Sequence, residues 1–197
     1  MSGSGFLDGR NGPVQAISGS SFYDLGPLSQ IAVNLFYGWG YNFYRTENQL
    51  RADDQLIRAQ VESLLSQARA SVETAESDYR RAFIPPPSRA KPRPDPEAVA
   101  IAQTLEKISA DIGALGAKIR ALPVPENDRM SQRYRNEAQT LATLLQIDQQ
   151  LTGQAELLRQ MLSSKDAPWI IENKPALLEG LTAITETLHA RKTALLA

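Results

Sequence analysis

The side chains best suited to chemistry are few in this chain, and their spacing matches no catalytic arrangement. His189 is the only histidine among 197 residues, and cysteine is absent. A histidine that acts as a general acid or base needs a partner within hydrogen-bond reach, and no recognisable spacing supplies one. Without cysteine, a thiol nucleophile, a thiolate metal site and a disulfide are excluded. We therefore interpret His189 as a surface residue of the last helix.

Carboxylates would have to supply any metal site, and two pairs come closest to that pattern. Asp54 follows Asp53, and Glu73 shares a helix face with Glu76. Basic neighbours of the second pair favour a solvated ion-pair face. The Glu-x-x-His pattern of di-iron bundles is absent, as is a glycine-rich phosphate loop between a strand and a helix. The sequence thus predicts no catalytic residue, no metal, no cofactor and no enzymatic activity.

The charge balance limits the class of partner, and the first residues indicate the compartment. Lys and Arg number 21 and Asp and Glu number 22, which gives a net charge of -1. A dedicated nucleic-acid binder needs surplus basic residues to neutralise phosphates, so nucleic acid is not an expected partner. The first residues lack the basic start and apolar run of a signal peptide. We expect a cytoplasmic protein, or a subunit of a soluble assembly, that binds a protein partner or its own copies.

Aromatic residues concentrate before residue 45, where charge is scarce. Nine of the 13 Phe, Trp and Tyr residues lie there, and between Asp24 and Arg45 the only ionisable side chains are tyrosines. We divide this region into a flexible N-terminal segment, residues 1–26, and an apolar, glycine-containing aromatic arm, residues 27–45. The arm differs in composition from everything after it.

Two local conformations suit the aromatic arm. A strand would place four aromatic residues on one face: Tyr37, Trp39, Tyr41 and Phe43. A helix from Pro27 would form an apolar stripe: Leu28, Ala32, Leu35, Trp39 and Phe43. The helix would carry Gly38 and Gly40 in its interior, at a cost of about 2 kcal/mol. We favour the helix because its stripe continues in phase toward the next helix.

Three roles are open for these aromatic residues. They could cap the core of the protein, dock into a partner, or contact a membrane through residues 25–44. That stretch is about long enough to span a bilayer, but its polar residues and glycines make it a poor lone span, better suited to the membrane surface or to a pore formed by several copies. The predicted interaction residues include Trp169, in a small apolar loop after Pro168. The full set is Phe36, Tyr37, Trp39, Tyr41, Phe43, Tyr44 and Trp169.

After the arm, helical periodicity dominates the chain. Apolar residues recur every three or four positions from Ile57 to Phe83, which predicts one long amphipathic helix over residues 46–83. A proline-rich linker follows, residues 84–95, whose composition favours a stiff extended connector. Residues 96–197 are predicted to form a helical bundle.

The bundle region opens with the strictest pattern in the chain. Asp95 and Pro96 suit a helix start, and a heptad stripe follows: Ile101, Leu105, Ile108, Ile112, Leu115, Ile119 and Leu122. Gly113 and Gly116 flank this stripe and predict a close helix crossing. Further helices are predicted from about Asn127 or Asp128 to before Pro168, and from near Pro175 onward.

These patterns predict an all-α fold: an elongated helical bundle or coiled-coil hairpins of about four helices, with the aromatic arm at the N-terminus. The leading functional hypothesis is a non-enzymatic structural or adaptor subunit of a larger assembly. The helical body would set spacing, and the arm would dock or drive self-assembly. The alternative is a membrane-associating or pore-lining protein that uses residues 25–44.

Overall fold

A computed structural model of the chain describes residues 19–40, 47–89, 93–122 and 137–196. All regular structure in these ranges is helical, which confirms the all-α class. A short 3-10 helix precedes six α-helices. Their bounds are Gly19–Phe22 for the 3-10 helix, Leu25–Trp39 (α1), Glu47–Phe83 (α2), Pro96–Arg120 (α3), Glu137–Leu162 (α4), Ala167–Glu172 (α5) and Lys174–Leu196 (α6).

Helices α2 and α3 form an antiparallel pair on either side of the proline-rich linker. Arg80 Nη2 lies 3.2 Å from Glu106 Oε2 at one end of the pair, and Arg58 Nη1 donates to the carbonyl of Leu122 over 2.7 Å at the other. Residue numbers therefore fall along α2 as they rise along α3. With 37 residues, α2 is about 55 Å long at a rise of about 1.5 Å per residue.

The predicted apolar stripes account for the interface between α2 and α3. The stripe of α3 is buried from Leu105 to Ile119, and the stripe of α2 is buried from Ile57 to Ala75. The stripe of α2 leaves the core before its predicted end, because the side chain of Phe83 is 58% exposed. Its ring instead contacts Tyr79, with the two ring centroids 4.7 Å apart.

The interhelical role predicted for the α3 glycines is only partly right. A Cβ added at Gly113 would lie 3.0 Å from the guanidinium of Arg69, and one at Gly116 would lie 3.8 Å from a side-chain atom of Glu62. Both neighbours are side chains of α2 rather than its backbone. Gly113 makes room for the guanidinium of Arg69, whereas a Cβ at position 116 would be in ordinary van der Waals contact with Glu62.

The aromatic arm is helical as far as the structure describes it. The carboxylate of Asp24 accepts a hydrogen bond from the backbone N–H of Gly26 and caps the start of α1. Over Leu35–Trp39, the part of the predicted strand that lies in α1, the chain is helical and the strand alternative is wrong. Gly40 is not interior to the helix, as the prediction had it, but adopts a left-handed φ of 74° and ends the helix. Residues 41–46 lie outside the described part of the chain.

Helix α4 lies at the centre of the molecule, in contact with α1, α2 and α6. Six consecutive residues of α4, from Leu151 to Glu156, are buried, so all its faces are covered there. α4 runs antiparallel to α1, because Ser29 contacts Gln149 while Phe22 contacts Gln154. The widened stripe predicted for this helix is thus explained by three neighbours rather than two.

The apolar segment around Trp169 is a short helix, α5, rather than the predicted loop. Asp166 caps it by accepting from the backbone N–H of Trp169 over 3.1 Å. Ile170 is fully buried, and α5 contacts both α2 and α3. The start predicted for the helix near Asn127 or Asp128 falls outside the described residues.

Candidate docking surface

Phe22 packs the first described residues against the helical bundle. The sequence analysis did not predict this role for Phe22. Its side chain is fully buried. A Cβ added at Gly180 of α6 would lie 2.6 Å from Phe22 Cζ, so the ring packs directly on the backbone of α6. Gln154 of α4 donates from Nε2 to the carbonyl of Phe22 over 3.0 Å. A glycine at position 180 is therefore required for this ring position.

At a second glycine, Gly153, the backbone of α1 packs directly against α4. A Cβ added at Gly153 of α4 would lie 2.5 Å from the carbonyl oxygen of Leu28 and 2.8 Å from its Cα. Beside this crossing, Ser29 Oγ donates to Gln149 Oε1 over 3.1 Å. We call residues 19–39 the docked segment, and the surface of α4 and α6 around Gly153 and Gly180 the glycine groove.

Burial of the docked segment is substantial. Four of its apolar side chains are fully covered: Phe22, Leu28, Ala32 and Phe36. Burying each large apolar side chain contributes roughly 1.5–3 kcal/mol, so a docked segment detached from any groove would be strongly unfavourable. The segment is part of the core of the protein rather than a loose tail.

The structure separates the predicted aromatic residues into different environments. Phe36 is fully buried, and its ring centroid lies 6.1 Å from that of Trp39, which is half-buried. Tyr37 is 78% exposed. Tyr41, Phe43 and Tyr44 lie outside the described residues.

Trp169 lies apart from the aromatic arm. It is half-buried on α5, and Lys165 Nζ lies over its ring, 4.9 Å from the centroid. Among the predicted interaction residues in the described ranges, Tyr37 presents the most surface.

The exposed side of α1 carries no charge. Four exposed residues at helical spacing form what we call the outer face of α1: Pro27, Gln30, Asn34 and Tyr37. No Asp, Glu, Lys or Arg occurs from Leu25 to Trp39. Gln30 Nε2 donates to Asn34 Oδ1 over 3.3 Å, so two polar groups of this face bond each other. An uncharged face with an exposed tyrosine is typical of the composition found at the centre of protein interfaces.

Tyr23, next to Phe22, is 44% exposed and contacts α6. Tyr23 Oη donates to Glu186 Oε2 over 3.2 Å. Loss of solvation at this site raises the pKa of the Tyr23 phenol, and the negative charges of Glu186 and Glu179 raise it further. The neutral phenol is the form that fits this position.

Three helices are joined by a buried ion cluster in the core. Arg191 of α6 donates from Nε to Asp148 Oδ1 and from Nη1 to Asp54 Oδ1, each over 2.6 Å. All three side chains are at most 2% exposed. Asp54 Oδ2 also lies 2.8 Å from Arg58 Nη2. Both carboxylates pair with arginine side chains, so the cluster holds α2, α4 and α6 together.

A second buried carboxylate lies on α4. Glu156 accepts from Arg159 Nη2 and Nε over 2.6 and 2.7 Å, and from Gln160 Nε2 over 2.7 Å. Burial raises the pKa of Glu156, but the hydrogen bonds from Arg159 and Gln160, with the charge of Arg159, outweigh it and leave the pKa below its usual value. The group is held as a carboxylate.

The residues considered for chemistry are dispersed in the structure. His189 is exposed on α6, as predicted. Glu73 bonds Arg69 and Ser109, and Glu76 pairs with Arg80. Within the described ranges, no three His, Cys, Asp or Glu side chains are grouped so that they could hold a metal ion.

The described helices also bear on membrane insertion. Among them, none combines the length and the apolar character that crossing a bilayer requires.

Comparison with known proteins adds no assignment: no family model matches this chain, and no match was found among curated proteins or solved structures.

Proposed function

We propose that this protein is a non-enzymatic structural or adaptor subunit of a larger protein assembly. The α2–α3 pair would act as a spacer about 55 Å long, and the N-terminal region would supply the docking surface. The observation that carries the proposal is the outer face of α1. It is uncharged and includes a tyrosine that is 78% exposed, yet it is held on the core by the buried opposite side of the same helix.

A rigid support is what makes this face suitable for docking. Interfaces are strongest where aromatic residues are presented in a fixed position, because little conformational entropy is lost on binding. Leu28, Ala32 and Phe36 hold α1 in the glycine groove, so Tyr37 is presented from an ordered helix. Deleting the whole N-terminal region would remove these core residues as well, so point changes on the outer face are the cleaner test.

The direct test is site-specific photo-crosslinking of the full chain in its native cells. A photoreactive phenylalanine analogue replaces Tyr37, and the same analogue replaces Gln67, an exposed residue of α2, as the matched control. We expect a discrete crosslinked protein species from position 37 and none from position 67. Equal crosslinking at the two positions, or none at position 37, would contradict the docking role of α1.

A second candidate function is peripheral membrane association through the same region. The favouring observation is that Leu25 and Tyr37, 59% and 78% exposed, lie on a helix without charges. Amphipathic side chains of this kind suit the headgroup layer of a bilayer. Flotation with vesicles of neutral and of anionic lipid tests it. Wild-type protein would float and the Tyr37→Glu variant would not, whereas wild-type protein left at the bottom of every gradient would exclude this candidate.

A further inference from the structure

We propose that the segment following α2 binds a folded partner protein through a groove lined with tryptophan and tyrosine. The binding segment is residues 83–89, which we call the proline tip. It begins at the last residue of α2 and precedes the start of α3 at Pro96. The proposal goes beyond the docking role of α1 and does not depend on it, because it concerns a different part of the molecule.

The proline tip presents apolar side chains to solvent. Phe83 is 58% exposed, and the three consecutive prolines Pro85, Pro86 and Pro87 are all exposed. Residues 85–88 form no helix, strand or turn. Exposed apolar residues that adjoin one another, rather than lying singly on a surface, are typical of a contact site.

The covalent geometry of proline sets the backbone conformation of the tip. Each proline ring holds φ at roughly −65°. Ile84, Pro85 and Pro86 each precede a proline, which disfavours the α-helical region for all three. The segment is therefore held in an extended form of the polyproline II type. Because this form exists before binding, little conformational entropy is lost when a partner contacts it.

The backbone of the three prolines can accept hydrogen bonds but cannot donate them, because proline has no N–H group. In the described part of the chain, no backbone N–H donates to the carbonyl oxygens of Pro85, Pro86 and Pro87. A fitting partner therefore combines apolar surface for the rings with hydrogen-bond donors for the carbonyls. Tryptophan and tyrosine supply both, through a large ring and an N–H or O–H group at its edge.

The charge near the tip also specifies the partner. Arg89 ends the tip, Arg93 follows it, and both are exposed. Neither forms an ion pair with another described residue, whereas Arg80 and Arg81 of α2 pair with carboxylates of the same helix. Aspartate or glutamate at the rim of the partner's groove would complement the two unpaired arginines.

The tip lies far along α2 from the docking surface of α1. The stretch of α2 from Asp54 to Phe83 is about 43 Å long at a rise of about 1.5 Å per residue. Asp54 shares Arg191 with Asp148 of α4, and the next residue of α4 accepts a hydrogen bond from Ser29 of α1. Partners bound at the tip and at α1 would therefore be held apart by the α2–α3 pair.

The test is an NMR titration with a purified WW domain that binds proline runs through an aromatic groove. The isotope-labelled domain is titrated with the unlabelled full chain up to about 1 mM, a concentration that detects weak binding. We expect saturable shifts of the signals from the aromatic groove, including the indole N–H. Unchanged signals throughout the titration would overturn the proposal.

Paired variants make the test specific for the tip. Pro86→Ala is expected to weaken binding by about tenfold, since both a ring contact and the restriction of the backbone are lost. The matched control is Pro168→Ala, which changes an exposed proline at the start of α5 and should leave the affinity unchanged. Equal affinities for the two variants would contradict a role of the proline run.

The charge of the tip is tested with the same titration. Arg89→Glu should weaken binding, because the new charge repels the acidic rim of the groove. Lys192→Glu makes the same change at an exposed position of α6 and should have no effect. Equal weakening by both variants would mean that only the net charge of the chain matters, and would overturn the assignment of the site to the tip.

An anionic lipid surface is the competing partner for an exposed phenylalanine beside arginines. Flotation with anionic vesicles separates the two. Wild-type protein that floats, a Phe83→Glu variant that does not, and a WW domain left unshifted would assign the tip to lipid and overturn the proposal. None of these results alters a photo-crosslink at Tyr37, so failure at the tip is distinguishable from failure of the docking role of α1.

Discussion

Arg191 donates to Asp54 over 2.6 Å, joining two residues 137 positions apart in the chain. The contact brings the last helix to the beginning of α2, and Asp148 of α4 completes the junction with its own 2.6 Å bond to Arg191. Three helices distant in sequence thus share one guanidinium group. Because α4 also receives the docked segment, this cluster sets the positions of the helices that form the glycine groove.

Replacing Arg191 by Met is expected to destabilise the fold strongly. The substitution removes the 2.6 Å bonds to Asp54 and Asp148, and both carboxylates stay buried, with Asp54 keeping its contact to Arg58. Breaking a buried ion pair by removing one partner costs about 3–5 kcal/mol. Urea unfolding followed by circular dichroism measures the change. The matched control is Arg81→Met, whose side chain is 77% exposed and pairs with Asp78; such exposed pairs contribute about 1 kcal/mol or less. Equal unfolding midpoints for the two variants would contradict the role of the cluster.

The sequence carries a signal for this cluster in the positions of its charged residues relative to the apolar stripes. Arg191 continues the apolar stripe of α6, which runs through Leu177, Leu181, Ile184 and Leu188, at the next heptad step. Asp54 precedes Ile57 and Asp148 precedes Leu151 in the same phase. Charged residues in phase with a buried stripe indicate buried ion pairs. Which charges pair depends on how the helices are arranged, and periodicity within one helix does not specify that.

Local sequence patterns predicted where the helices lie better than they predicted which elements pack against each other. The heptad stripe of α3 and the Asp95–Pro96 start both follow from chemistry within one or two turns, and the structure confirms them. The docking of Phe22 on Gly180 joins residues on separate elements. The glycines inside α4 and α6 were a partial signal. A glycine inside a helix costs about 1 kcal/mol relative to alanine, and close packing of another segment against it can offset that cost. The sequence could not indicate which segment uses it.

Gly153→Ala is expected to destabilise the protein, in contrast to Gly38→Ala. At position 153 the new Cβ would lie 2.5 Å from the carbonyl oxygen of Leu28, so the two helices must separate, at a cost of about 1–3 kcal/mol. At position 38 the Cβ meets nothing within 4 Å, and alanine should stabilise the helix by about 0.5–1 kcal/mol. Thermal unfolding of both variants measures whether each substitution raises or lowers the stability of the protein. Stabilisation by both substitutions would show that α1 does not cross α4 at Gly153.

Alkaline pH is expected to weaken docking of the N-terminal segment through Tyr23. Its pKa is raised in the folded protein by desolvation and by Glu186 and Glu179. The contribution of the neutral phenol to stability is therefore complete below the unfolded value of 10.0 and is lost as pH rises through the higher folded value. The measurement is the unfolding midpoint against pH for wild-type protein and Tyr23→Phe. The variant should lose less stability over this range, and parallel curves would exclude the effect.

Acid is expected to destabilise the fold through Glu156, whereas the effect of Tyr23 is expected at alkaline pH. Hydrogen bonds from Arg159 and Gln160 leave its pKa below the usual 4.5 despite the cost of burial. The stability that this carboxylate contributes is therefore present above 4.5 and is lost as pH falls through the lower folded value. Glu156→Gln keeps the shape but removes the titration, so its unfolding midpoint should depend less on pH in this range. The matched control is Glu172→Gln, at an exposed position on α5, which should retain the wild-type acid dependence. A wild-type acid profile in Glu156→Gln would mean that the bonds to Arg159 and Gln160 contribute nothing to folding.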